Sequence, residues 1–168
     1  MKPILLMITL LLAGAAPASA QRSTRETDLQ DGAGKQVGRV MIRETGGVIR
    51  IQVNVHDLAP GRHGMHIHQN GSCEPPGFES AGPHYNPHGR EHGRRSPRGP
   101  HLGDLGNISV ARNGRGSRVV TIRDTETRKG IVSFLGEGRA IVVHAGPDDE
   151  VTDPSGNSGA RIACGVVR

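Results

Sequence analysis

Residues 49–55 alternate without interruption: Ile49, Ile51, Val53 and Val55 are interleaved with Arg50, Gln52 and Asn54. Side chains on a strand point to opposite faces with a period of two, so this pattern puts four β-branched residues on one face and three polar ones on the other. A helix would scatter them around its circumference. Similar short apolar segments lie at 37–42, 105–110, 119–122, 131–134, 140–143 and 162–167. Turn signals fall between them, at Gly46-Gly47, Asn113-Gly114, Lys129-Gly130 and 136–138. Many short strands with frequent turns predict an all-β antiparallel sandwich or flattened barrel. One Tyr, two Phe and no Trp against 25 Gly and 11 Pro require an aliphatic core and disfavour a helix bundle. With 168 residues, no internal repeat and no linker, one domain is expected.

Residues 1–20 read as a leader outside that domain. Lys2 supplies a positive start, residues 4–16 an apolar run, and Ala18-Ser19-Ala20 small residues at the exit, so cleavage before Gln21 is expected. The run is shorter than the roughly 20 residues that span a bilayer, and no Cys follows Ala20 to carry a lipid, so no membrane anchor is expected. The predicted organisation is a signal peptide at 1–20 and one domain at 21–168, released to the periplasm or outside the cell. In an oxidising compartment two cysteines permit one intramolecular bond, Cys73 to Cys164. Closing so long a loop stabilises by roughly 4 to 5 kcal/mol in the chain-entropy treatment.

Nine His in a chain of formal charge +5 are the compositional anomaly. His66 and His68 flank Ile67, and on a strand positions i and i+2 lie on one side about 6.5 to 7 Å apart. His84, His92 and His101 follow within residues 69–103, a stretch with six Pro and seven Gly, and Asp104 lies three positions beyond the last. A loop of that length in a compact domain is normally functional. His144 ends the apolar run at 140–143. Six imidazoles and a carboxylate exceed what one tetrahedral ion needs, so the natural partition is two sites, one imidazole-rich and one of mixed nitrogen and oxygen. Copper and zinc both suit imidazole, and spacing does not choose between them. A histidine-rich segment that scavenges metal without defined geometry is the alternative reading.

The segments Gly64-Met65-His66-Ile67-His68, Ala81-Gly82-Pro83-His84-Tyr85-Asn86-Pro87, His92-Gly93, His101-Leu102-Gly103-Asp104-Leu105-Gly106-Asn107, Val143-His144-Ala145-Gly146 and Ala160-Arg161-Ile162-Ala163-Cys164-Gly165-Val166 occur in this order. Together they resemble the copper/zinc superoxide dismutase family, in its bacterial secreted type, over residues 37–168. The resemblance implies an immunoglobulin-like Greek-key sandwich with long metal-binding loops. It implies copper ligands His66, His68, His84 and His144, zinc ligands His84, His92, His101 and Asp104, and one copper and one zinc ion per subunit. His84 would bridge the two ions, and Asp148 would hydrogen-bond one histidine of each set. Arg161 would hold the superoxide anion by its guanidinium donors. The implied activity converts superoxide to dioxygen and hydrogen peroxide, an antioxidant role in an exported compartment.

The segment 149–159 is short, lacks Lys, and has Ser155 where many relatives carry Thr, so Arg90, Arg94, Arg95 and Arg98 are the alternative source of a positive field. The same four arginines are the candidate contact with an anionic surface. His56, His63 and His88 are expected to be solvated. The low aromatic content leaves no stacking platform for single-stranded nucleic acid, so no nucleic-acid partner is expected. Bacterial relatives include monomers and dimers, so a homodimer stays open. An exported metal-buffering protein on the same scaffold would lack a copper histidine or the arginine, and neither is missing.

Overall fold

The computed structural model describes residues 23–45, 48–123 and 138–168. Its strands are β1 (Ser23–Asp31), β2 (Gln36–Thr45), β3 (Val48–Val55), β4 (Gly61–His68), β5 (Asp104–Val110), β6 (Gly116–Arg123), β7 (Arg139–His144) and β8 (Arg161–Val167), with one 3-10 turn at Glu79–Ala81. Antiparallel pairing closes them in the order β1-β2-β3-β6-β5-β4-β7-β8. The pairing is uneven. β2 with β3 and β3 with β6 are paired along their lengths, but β5 meets β6 only at Val110 and Gly116, and β1 meets β8 only at Gln30–Cys164 and Asp31–Ala163. These thin seams divide the barrel into two four-stranded layers, so the expected sandwich and the expected flattened barrel are one object. β4 lies between β5 and β7, and β3 lies beside β6, as a Greek key requires.

The alternation at 49–55 places its apolar face as expected. Ile49, Ile51, Val53 and Val55 are buried with Val40 and Ile42 of the same layer and with Met65, Ile67, Leu105, Ile108, Ile141 and Val143 of the other. β1 lies outside the segments expected from the sequence, because Leu29 is its one buried side chain among those described. Its strand character comes from pairing with β2. The strand expected at 131–134 and the turns expected at Gly46-Gly47 and Lys129-Gly130 lie outside the described residues. Among the described residues, no helix is long and apolar enough to cross a membrane.

Residues 69–103 form the expected irregular loop, interrupted by the turn at Glu79–Ala81 and a single bridge at His84. β7 is buried along its whole length, and the reason is this loop. Ile141 and Val143 enter the main core, while Ala140 and Val142 join Phe78, Ala81 and Cys164 in a second cluster against which Cys73 packs. The Cys73–Cys164 disulfide closes that cluster, with a Cα separation of 5.7 Å across 91 positions. Further along, Gly103 passes between β4 and Tyr85. Gly103 N donates to the Tyr85 carbonyl and Ile67 N to the Gly103 carbonyl, both at 2.9 Å, and a Cβ at this position would run into the Ile67 carbonyl oxygen. The loop is therefore packed at its start and clamped at its end, which fixes the histidines between.

Candidate metal centre

β4 carries His66 and His68 to one side, with ring centroids 6.3 Å apart. His84 docks beside them through an isolated bridge to His68, and His144 is the last residue of β7. A register shift immediately precedes two of these rings, between Met65 and His66 and between Val143 and His144. Such irregularities re-aim side chains beside functional sites.

Each of the four rings has one nitrogen committed to the protein. His66 Nε2 lies 2.9 Å from Asp148 Oδ2, and His84 Nδ1 lies 3.0 Å from Asp104 Oδ1. His68 Nδ1 donates to the Gly82 carbonyl at 2.8 Å, and His144 Nδ1 to the Gly159 carbonyl at 2.9 Å. A carbonyl only accepts, so Nε2 of His68 and of His144 presents its lone pair. His66 Nδ1, His68 Nε2, His84 Nε2 and His144 Nε2 are all buried without a protein hydrogen-bond partner. One ligand atom from each ring lies within 4.8 Å of the others. Leaving a buried polar group unsatisfied costs about 1 to 3 kcal/mol. Four at one point fit a cation that accepts imidazole lone pairs, a preference copper and zinc share.

A different donor set lies on the far side of His84. Nδ1 of His84, His92 and His101 approach the same oxygen, Asp104 Oδ1, at 3.0, 3.0 and 3.3 Å. Asp104 Oδ2 is held by the backbone N–H groups of Gly93 and His101 at 2.8 and 2.9 Å. Three imidazole nitrogens and one carboxylate oxygen suit tetrahedral zinc. His66 also comes within reach of His84, His92 and Asp104. One of its nitrogens is engaged by Asp148 and the other faces the four-histidine set, so His101 fits this second set better.

Asp148 joins the two halves, with Oδ2 on His66 and Oδ1 3.0 Å from His92 Nε2. Asn107 holds the Asp148 main chain from both sides, donating Nδ2 to its carbonyl at 2.9 Å and accepting its N–H at 2.7 Å. Gly156, at φ +65°, closes over the carboxylate, and a Cβ there would collide with Asp148 and come within 2.6 Å of His92 Nε2. Sequence reasoning missed both supports. Asn107 sits in a quoted motif without a role, and Gly156 has no local signal at all.

The electrostatics of the halves differ. Burial pushes His66, His68 and His144 down to about 3, 2 and 4, and lowers His84 as well. Burial opposes charge on His92 too, but hydrogen bonds to Asp104 and Asp148 outweigh it and raise His92 to about 9. Burial resists ionisation of Asp104 and Asp148. Hydrogen bonds from His101, His84, His92 and the Gly93 N–H hold Asp104 well below the usual carboxylate range, and those from His66 and His92 do the same for Asp148.

Arg161 stands beside the four-histidine set. Its two terminal nitrogens donate to the carbonyls of Phe78 at 2.6 Å and Gly82 at 2.7 Å. The Gly82 carbonyl therefore accepts from both His68 and Arg161 and ties the guanidinium to the cluster. Cys164, three residues on, carries the disulfide back to the same loop.

The expectation for His63 is corrected. It is buried, with Nδ1 2.9 Å from the His144 carbonyl and Nε2 2.8 Å from the Ala59 carbonyl. β4 enters the core at this point, so a ring at 63 has nowhere solvated to go. His88 is half-buried in the wall of a cavity of about 350 Å³ rather than solvated, and His56 stands partly exposed beside Asp57. Two of the four loop arginines share one cavity. Arg98 pairs with Glu91, and Arg90 and Arg94 line that same cavity, on the Asp104 side.

The copper/zinc superoxide dismutase (SODC) family model matches residues 36–167. The chain belongs to the copper/zinc superoxide dismutase family. Membership carries the family's oxidoreductase class and its two metals, copper and zinc. Among its relatives is a copper-zinc superoxide dismutase of Aquifex aeolicus, 42% identical over 139 residues that cover 80% of this chain and 81% of that one. An extracellular copper-zinc superoxide dismutase of Haemonchus contortus is 38% identical over 79% of this chain and 74% of its own. The crystal structure of a superoxide dismutase-like protein from Bacillus subtilis superposes with a TM-score of 0.76 at 36% identity, covering 85% of this chain and 97% of that one.

Proposed function

We infer that this chain dismutates superoxide in an exported compartment, two superoxide anions and two protons becoming dioxygen and hydrogen peroxide. The observation that carries the reading is the divided use of His84, with Nε2 facing three other unpartnered imidazole nitrogens and Nδ1 facing the Asp104 carboxylate. His66, His68, His84 and His144 would hold copper, and His84, His92, His101 and Asp104 would hold zinc. Copper bound there supplies one-electron redox chemistry, and zinc supplies a fixed charge without redox. Arg161 attracts the anion and orients it, its terminal nitrogens already aligned by the Phe78 and Gly82 carbonyls. His84 Nε2 is the atom placed to take up and return a proton, since Nδ1 is engaged on the other side. Asp148 keeps His66 and His92 in fixed orientations.

The domain that does this spans 21–168, after cleavage of 1–20. A disulfide in the fold and an extracellular relative support export. Arg90, Arg94 and Arg95 supply a positive field and a contact with anionic surfaces, with Arg98 contributing less because Glu91 neutralises it.

The deciding measurement is superoxide decay by mature protein loaded with copper and zinc, beside His144→Ala. Fast, copper-dependent decay that collapses in the variant supports the reading. Ordered loading without decay overturns it in favour of metal buffering. Sequencing the N-terminus of protein recovered from the exported fraction tests the leader, and a start at Met1 would sink it.

A further inference from the structure

One face of the barrel carries a concentration of charge that the metal centre does not use. Arg43 of β2 and Arg50 of β3 are direct cross-strand partners. Arg50 in turn faces Thr121 of β6, and Arg123 lies two residues further on the same strand, opposite Val48. Arg43, Arg50, Thr121 and Arg123 are all exposed. Like charges directly opposite one another destabilise a sheet. Elsewhere on β2 such charge is relieved: Arg39 reaches Asp28 at 2.9 Å and Glu26 at 3.9 Å. Among the described residues Arg43, Arg50 and Arg123 make no ion pair, and the one hydrogen-bonding contact of the Arg43 guanidinium is with the Met41 sulfur at 3.9 Å.

The three arginines also line a common concavity of about 300 Å³, together with Thr45, Val48 and Thr121. Thr121 and Arg123 are shared with the neighbouring cavity of about 350 Å³, which contains Arg94. The Arg94 guanidinium is oriented by donating to the carbonyls of Asp104 and Leu105 at 3.5 and 3.4 Å. Among the described residues no acidic side chain lines the first concavity, and the one that lines the second, Asp104, has its carboxylate engaged by three histidines and two backbone N–H groups. Leu102, Val120 and Ile122 give the second cavity apolar walls that strengthen the field inside it. Guanidinium forks match the oxygens of phosphate and sulfate two at a time, and threonine hydroxyls add donors.

We propose that this face binds a short chain of linked oxyanions, one phosphate or sulfate group in each of the two adjoining concavities. The first concavity stands apart from the metal centre, and the second borders it through His101 and Asp104.

The test is calorimetric titration of the copper- and zinc-loaded protein in low-salt buffer with inorganic tripolyphosphate and, in a second arm, with a heparin tetrasaccharide. Binding of either probe is expected, weakened about tenfold or more by R50Q/R123Q. Dismutation stays at its parent value in that variant, and the melting temperature does not fall, because removing Arg50 relieves its repulsion with Arg43. R112Q/R115Q removes the same charge from the β5–β6 turn and is expected to leave binding intact. The preferred probe identifies phosphate or sulfate as the recognised group. No binding of either probe, or an equal loss in both double variants, would overturn the proposal, the latter by reducing it to attraction by net charge.

Discussion

His84 stands between two surroundings built from the same residue type. On its Nε2 side, His66, His68 and His144 face one another across unpartnered nitrogens, no carboxylate oxygen enters the group, and burial holds their pKa values at about 3, 2 and 4. On its Nδ1 side, three nitrogens surround one oxygen of Asp104, and His92 is raised to about 9. One half disfavours protonation and offers neutral donors, while the other favours a charged His92 beside Asp104 and Asp148. The difference is made by where the carboxylates stand, because imidazole itself is common to both.

The largest expected effect comes from removing the shared ring. His84→Ala should abolish dismutation and disorder both donor sets, and copper and zinc content per chain after dialysis should fall together. Retention of either metal at full occupancy would show that the halves are independent. Asp148→Asn keeps the side chain's shape but weakens its acceptance from His66 and His92. Metal retention against a chelator should drop about 10- to 100-fold on both sides. A loss confined to zinc would break the symmetry assigned to Asp148.

His63→Ala sharpens the contrast, since His63 touches the four-histidine half alone. Leaving the His144 and Ala59 carbonyls without their partner should lower stability by about 3 kcal/mol in a denaturant titration. It should weaken copper retention while zinc stays bound.

The smallest effect is the pH dependence of the metal-free protein. His66, His68 and His144 titrate lower in the folded state than in the unfolded state, so the unfolded chain binds more protons below about 6.5. Their contribution is present at neutral pH and declines as pH falls toward 4. His92 behaves oppositely, with a contribution complete below about 6.5 and lost as pH rises through about 9. Denaturant midpoints at pH 5, 7 and 9.5 would map both limbs, and His92→Gln should flatten the alkaline limb alone.

Much of this molecule was legible in the chain. The alternation at 49–55 identified β3 and its buried face, because a period of two needs no knowledge of neighbours. β1 was invisible for the complementary reason: a strand that buries only Leu29 among its described side chains owes its conformation to β2 and β8. The residues of the two donor sets were legible as a set because imidazole and carboxylate chemistry is carried by side-chain identity. His63 was misread because burial is a property of the surroundings. The same holds for Gly156, whose missing Cβ matters only once the segment 149–159 has folded over Asp148 and His92.

The sequence by itself determined which donor atoms exist, their order along the chain, the apolar faces of the strands and the one possible disulfide. These follow from covalent identity and local periodicity, which hold however the chain is arranged. Only the tertiary structure decided which nitrogen of each ring is committed and which is left facing a neighbour. That choice is made by the Gly82 carbonyl for His68, the Gly159 carbonyl for His144 and the Asp148 carboxylate for His66, partners 14, 15 and 82 positions away. A hydrogen bond to one nitrogen of an imidazole settles what its other nitrogen offers, and that bond exists only when distant segments are folded together.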